Sequence, residues 1–290
     1  MGRHEIVSRH CKFAAMCVLA LASVFSAAIA ETDAVAPDWI VPFADRIHNA
    51  WRDGKPMPQI SAAYPDASLA DAYLTQKHFV SRMMAPDGVG GFKAAGVASA
   101  APGHPLVAVM PTSDILHAKD KIVIGLADDP HRHVENEIGY LFHRPVTEPP
   151  ADVDALRRCV KAIVAIVEVP GGAVEELQPA NTNDIVAWNI NAKAMILGDA
   201  HGPNAIDPDA VNITLKRDGE IINTARGDMA AGGQWNTLLK TVNNVLRQGY
   251  TVQPGHIITN GALGKILKAA PGHYHADYGP LGIIEFEVRQ

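Results

Sequence analysis

Six consecutive apolar residues, Ala162-Ile163-Val164-Ala165-Ile166-Val167, run into a carboxylate, Glu168, and then Val169. Residues 164–169 read as a buried strand rich in β-branched side chains. A carboxylate in such a strand loses its hydration and is rarely left unpaired. Whatever the rest of the chain builds, it must bring a partner to Glu168.

A second predicted strand, residues 134–142, contains Val134-Glu135-Asn136-Glu137-Ile138. Side chains on a strand alternate, so Glu135 and Glu137 face the same way, and the same parity adds His131 and His133 to that face. Two like charges side by side are costly unless something positive sits between them. The pair is therefore a candidate divalent-cation site, although the solvated face of an edge strand gives the same pattern. With Glu168 the set becomes three strand-held acids. That suits Mg²⁺ or Mn²⁺, which prefer oxygen ligands and retain waters that a bidentate substrate can displace.

Two further segments carry weaker signals. In Gly90-Gly91-Phe92-Lys93-Ala94 the glycines permit close backbone approach, and the Lys93 ammonium could hold a carboxylate or move a proton. A surface lysine in a turn would look the same. Asn260-Gly261-Ala262-Leu263-Gly264 follows a predicted strand and could present backbone N–H groups to an anion, as could an ordinary turn.

Helical spacing opens the mature chain, with Ile40, Phe43, Ile47 and Trp51 within residues 37–60. Ser68 with Asp71 three residues later is a capping signal. It starts a helix whose one face carries Leu69, Ala72, Tyr73, Gln76, Phe79, Val80 and Met83. Beyond the Gly88, Gly90, Gly91 cluster, further strands are predicted at residues 106–110, 122–124, 257–259 and 283–288. A helix is expected at 154–161, and residues 211–215 and 220–223 flank an Asp218-Gly219 hairpin signal. Trp235, Leu238, Leu239, Val242 and Leu246 form a last helical stripe, stopped by Gly249. The fold class is mixed α/β (α+β).

The first thirty residues stand apart. Arg3, Arg9 and Lys12 precede an uncharged stretch over residues 13–30 that ends Ala28-Ile29-Ala30, the pattern of a secretory signal peptide cleaved after Ala30. The organisation expected is signal peptide 1–30, a helical portion 31–88 and a catalytic body 89–290. The formal charge of the whole chain is −6, of which residues 1–30 carry +2, leaving −8 on the mature chain. With no basic run, a nucleic-acid partner is excluded. Cleavage leaves no membrane span and places the protein in the periplasm or outside the cell. Cys159 is then the sole thiol, read as a small buried hydrophobe.

In this order the motifs resemble the 2-keto-4-pentenoate hydratase and 2-oxo-3-hexenedioate decarboxylase branch of the fumarylacetoacetate hydrolase superfamily. Asp71-Ala72-Tyr73-Leu74-Thr75-Gln76 is similar to the branch's helix ending in Gln, and Gly91-Phe92-Lys93 to its G-Y-K. Glu135-Asn136-Glu137 matches its E-x-E, and Glu168 the glutamate of its A-L-E strand. Residues 254–264 resemble G-D-I-I-L-T-G-A-L-G and residues 275–282 resemble H-A-D-F-G-G-L-G. The resemblance implies a fumarylacetoacetase C-terminal-like β-roll or sandwich behind an N-terminal helical portion. It implies Glu135, Glu137 and Glu168 as ligands of Mg²⁺ or Mn²⁺, Lys93 and Asn189 as catalytic groups, and Gln76, Gly261, Ala262 and Leu263 as substrate contacts. The expected activity is a hydratase-type lyase of aromatic catabolism acting on a small 2-oxo carboxylic acid, in a homo-oligomer.

The chain also departs from that pattern. Leu106 stands where an acid is usual, Trp188 replaces a carboxylate ahead of Asn189, Gln234 stands where the branch has a histidine, and Lys265 follows Gly264 in place of proline. These changes keep other readings open: decarboxylation of a 2-oxo acid, C–C hydrolysis of an acylpyruvate with His131, His133 or His143 as base, or an exported non-catalytic relic of the fold.

Overall fold

The computed structural model describes residues 36–84, 88–98, 101 and 103–290; the expected signal peptide lies outside them. Three helices come first: α1 (Ile40–Arg52), α2 (Ile60–Ala63) and α3 (Leu69–Met83). The start of α3 is fixed as its sequence predicts, with the Ser68 hydroxyl accepting from Asp71 N–H and the Asp71 carboxylate accepting from Ser68 N–H. The body follows as β1 (Val89–Ala95), β2 (Leu106–Pro111), β3 (Ile115–His117), β4 (Val123–Gly125), β5 (His133–Phe142), α4 (Val153–Arg157), β6 (Val160–Glu168), α5 (Thr182–Ala187) and β7 (Met195–His201). It closes with β8 (Asn212–Arg217), β9 (Glu220–Arg226), α6 (Gln234–Arg247), β10 (Ile257–Thr259), β11 (Leu263–Lys268), β12 (Gly272–Asp277) and β13 (Ile283–Arg289).

The larger sheet runs β2-β1-β10-β5-β6-β7-β3, with β11 also paired to β5; the smaller runs β4-β13-β12-β8-β9. β1 pairs β10 and β3 pairs β7 in parallel, whereas β5 and β6 are antiparallel. The smaller sheet rests on β6 and β7 through β13, and this is why residues 160–167 of β6 can be almost wholly apolar: both faces are covered. The expected mixed architecture with an N-terminal helical portion is met. Among the described residues, no helix is long and apolar enough to cross a membrane.

Several local expectations change. The glycines of Gly90-Gly91 lie within β1, not in a turn, and a Cβ on Gly91 would stand 2.0 Å from the Ile257 carbonyl oxygen. Only glycine permits this close parallel pairing of β1 with β10. The helix expected at 154–161 ends at Arg157 because Val160 and Lys161 already belong to β6. Cys159 is half-buried, its thiol 3.7 Å from the Ala155 carbonyl. The hairpin is formed as expected, with φ of +51° at Asp218 and +87° at Gly219, the left-handed pair that a tight two-residue turn requires.

Candidate metal centre and cavity

Antiparallel register sets Glu135 of β5 directly opposite Glu168 of β6. Like charges in that position repel, and Glu137, two residues along the same face, adds a third. One oxygen from each carboxylate lies within 4.8 Å of the others. The fourth group comes from across the sheet. Phe92 is in register with Ile258, and Ile258 with Tyr140, so Lys93 falls one step on, in the row of Thr259 and Gly139 that shares its face with Glu137. Lys93 Nζ donates to Glu168 and, at 3.1 Å, to the Ile190 carbonyl. The expectation of a surface lysine is corrected: Lys93 is 2% exposed, beside Glu135 at 8% and Glu137 and Glu168 at 0%.

Burial alone would lower the Lys93 ammonium, but the negative charge of Glu168, Glu135 and Glu137 outweighs it and holds it above the ordinary lysine value. Burial pushes Glu168 up to about 7, with Glu135 adding to the rise and Lys93 opposing it. Burial and then the charges of Glu168 and Glu135 raise Glu137 well above the usual carboxylate range. Neither Glu137 oxygen has a hydrogen-bond partner, nor has Glu168 Oε2. Three buried oxygens without donors, converging from two strands, fit a hard divalent cation, which takes oxygen ligands of this kind.

Lys93 and Glu135 of the cluster line a cavity of about 550 Å³ whose wall also includes His131 and His133, as strand parity predicts. Ile185, Ile190 and Ile266 make part of the wall apolar. Asp129, unremarked in the sequence, fastens two sides of the cavity: its carboxylate accepts from His131 N–H at 3.0 Å, Gly172 N–H at 2.7 Å and Lys193 Nζ at 2.9 Å. Burial would raise Asp129, yet the bond and charge of Lys193 hold it below the usual range.

Other expected site residues fall elsewhere. Ala262 and Gly264 line the cavity, whereas Leu263 is buried in register with Asn136 and Gly261, at φ +83°, packs its backbone on Ala94. The Gln76 amide donates to the carbonyls of Val107 and Val186, and Asn189 exchanges two hydrogen bonds with the backbone of Val109 at 2.9 and 2.8 Å. Both side chains seal the outer edge of β2 and neither reaches the cavity. His143 is exposed, its ring near the Arg158 carbonyl. Of the departures, Leu106 packs in the core, Trp188 is buried with Nε1 donating to the Pro58 carbonyl at 2.8 Å, and Gln234 binds the Gly227 carbonyl. None of the three walls the cavity.

No family model matches the sequence. The chain is 26% identical over 256 residues to a 2-keto-4-pentenoate hydratase of Paraburkholderia xenovorans (strain LB400), covering 85% of this chain and 94% of that protein. It is 22% identical over 244 residues to a 4-oxalocrotonate decarboxylase of Pseudomonas sp. (strain CF600), covering 81% and 90%. Its fold matches the 4-oxalocrotonate decarboxylase from Pseudomonas putida G7 complexed with magnesium and adipate at a TM-score of 0.78 and 20% identity, over 86% of this chain and 97% of the other. The fold is thus that of the 4-oxalocrotonate decarboxylase. The sequence similarity is to 2-keto-4-pentenoate hydratases and 4-oxalocrotonate decarboxylases, the branch its motifs resemble.

Proposed function

We propose that this protein is a metal-dependent lyase of hydratase type, adding water to a small 2-hydroxydienoate or 2-oxo-alkenoate. The observation that carries the reading is the convergence of three buried carboxylates with Lys93, of which Glu135 and Lys93 line one cavity. Glu135, Glu137 and Glu168 would hold the divalent cation, Mg²⁺ or Mn²⁺. When bound, such an ion polarises the 2-oxo group of a substrate. Lys93 binds the anionic end of the substrate or moves a proton at Nζ, a position its two acceptors fix. His131 and His133 line the same cavity and are the candidates for proton exchange with the substrate. Ile185, Ile190 and Ile266 on the cavity wall would seat an apolar tail.

Mg²⁺-dependent loss of dienol absorbance with purified residues 31–290 tests this. Absence of turnover across a panel of 2-oxo and 2-hydroxydienoic acids, with Mg²⁺ or Mn²⁺, refutes it. Decarboxylation is the second reading, favoured by sequence similarity to a decarboxylase over 81% of the chain, and CO₂ release separates the two. Export belongs to the same proposal, and N-terminal sequencing of the mature protein checks for cleavage after Ala30.

A further inference from the structure

Asn189, Ile190 and Asn191 have φ of +53°, +50° and +53°, three successive residues in the left-handed region. Asparagine tolerates that conformation, but a β-branched residue there is an outlier and survives only where its surroundings over-determine it. The surroundings here do so from both sides. The Asn189 side chain is bound twice to Val109 of β2, and the Asn191 amide donates to the Gly171 carbonyl at 3.3 Å while its own carbonyl accepts from Gly171 N–H at 2.9 Å. The carbonyl between these two anchors, that of Ile190, points at Lys93 Nζ from 3.1 Å.

We propose that the left-handed turn Asn189-Ile190-Asn191 is a positioning device that sets the Lys93 ammonium in the cavity. Lys93 has two acceptors, Glu168 and the Ile190 carbonyl. Glu168 is also one of the three acids assigned to the cation. The Ile190 carbonyl is the acceptor that lies outside the carboxylate cluster assigned to the cation. It keeps the ammonium directed when Glu168 is engaged. Asn189 is thus a positioning residue, acting through the turn on Lys93. The inference rests on the role given to Lys93 above.

The test compares Asn189→Ala with Asn189→Gly. Both lose the bonds to Val109, so both share whatever instability that loss brings, but only alanine resists positive φ. Lys93 acylation by an amine-directed reagent is measured by peptide mass spectrometry with and without Mg²⁺, alongside kcat and KM. The expected result is Lys93 labelled several-fold faster in Asn189→Ala than in Asn189→Gly, with kcat about tenfold lower at a KM within twofold, as the preference against left-handed backbone in a non-glycine residue requires. Lys93 labelling and kcat that do not distinguish the two variants overturn the proposal. Should alanine prevent folding, Asn191→Ala against Asn191→Gly gives the same contrast at the other end of the turn. If no substrate turns over in the wild type, the functional reading fails, and the labelling contrast still decides the role of the turn.

Discussion

Replacing Glu137 by glutamine makes the metal-free protein more stable at alkaline pH, the opposite of what deleting a buried charge partner does. In the metal-free fold three carboxylates share one ammonium, so two negative charges are uncompensated. Glu168, at about 7 in the fold against 4.5 for an unperturbed carboxyl, sets the scale. That difference corresponds to about 3 kcal/mol for holding the ionised group in the fold at pH 8. Glu137 is raised in the same way, and neither of its oxygens receives a hydrogen bond. Glutamine removes the charge at constant shape but leaves an unpartnered amide, a penalty of about 1–2 kcal/mol. The net gain at pH 8 is about 1–2 kcal/mol, a rise in Tm of roughly 2–6 °C for a domain of this size.

The sign with pH follows from the direction of the shifts. A carboxyl raised in the folded state contributes stability that is fully present below 4.5 and is lost as pH rises through about 7. Metal-free wild type therefore loses Tm between pH 5 and pH 8, and Glu137→Gln loses less. At pH 5 the variant is no better than wild type. Mg²⁺ reverses the order at pH 8: a cation at one hundred times its Kd adds about 2.7 kcal/mol to the wild type and little to the variant. Differential scanning calorimetry on chelator-treated protein at pH 5, 6.5 and 8, with and without Mg²⁺, measures all of this. A variant less stable than wild type at pH 8 without metal, and showing the same Mg²⁺ shift, would refute the electrostatic argument.

Lys93→Met removes the cation facing the three acids and destabilises the metal-free protein by about 3–5 kcal/mol at pH 8 in urea titration, with a smaller loss at pH 5 where the raised carboxyls of Glu137 and Glu168 take up protons. Asp129→Ala frees His131, Gly172 and Lys193 together, costing about 2–4 kcal/mol and raising KM more than it lowers kcat. Because Asp129 is held low, its contribution is present above 3.8 and is lost as pH falls, so the deficit of the variant shrinks toward pH 3. Trp188→Asp restores the acid usual in the branch but buries it beside the Pro58 carbonyl, and thermal melts should show a loss of more than about 4 kcal/mol rather than a gain of activity. Gly219→Ala places a Cβ where nothing lies within 4 Å, so the φ of +87° alone sets the expected cost of about 1 kcal/mol in the same melts.

What the sequence discloses about this site is whatever obeys a short local period. Strand parity places Glu135, Glu137, His131 and His133 on one face, and the apolar run around Glu168 announces a buried charge; both are features of a single strand. Lys93 gives only a weak signal because its neighbours in the fold, Thr259 and Gly139, lie far along the chain, and Gly90-Gly91 punctuates a strand as it would a turn. Asp129 and the Asn189-Ile190-Asn191 turn leave no periodic trace. Isoleucine is among the residues least expected at positive φ, so the turn is set by tertiary anchors and not by propensity. Similarity to motif positions implies substrate contact for Gln76 and a catalytic role for Asn189, whereas the side-chain hydrogen bonds of both go to backbone.

Those same two side chains have a consequence for the chain as a whole. β2 is the outer strand of the larger sheet, yet Val107 N–H donates to the Tyr73 hydroxyl, the Val107 carbonyl accepts from Gln76, and Val109 is bound both ways by Asn189. An open strand edge is a template for pairing with another molecule. Here three side chains stand in for the missing neighbour, two of them carried by α3. A fragment beginning at residue 89 would leave the Val107 N–H and carbonyl without these partners, one strand away from Lys93, while Asn189 still covered Val109. The opening helices thus complete one edge of the sheet that carries the acids.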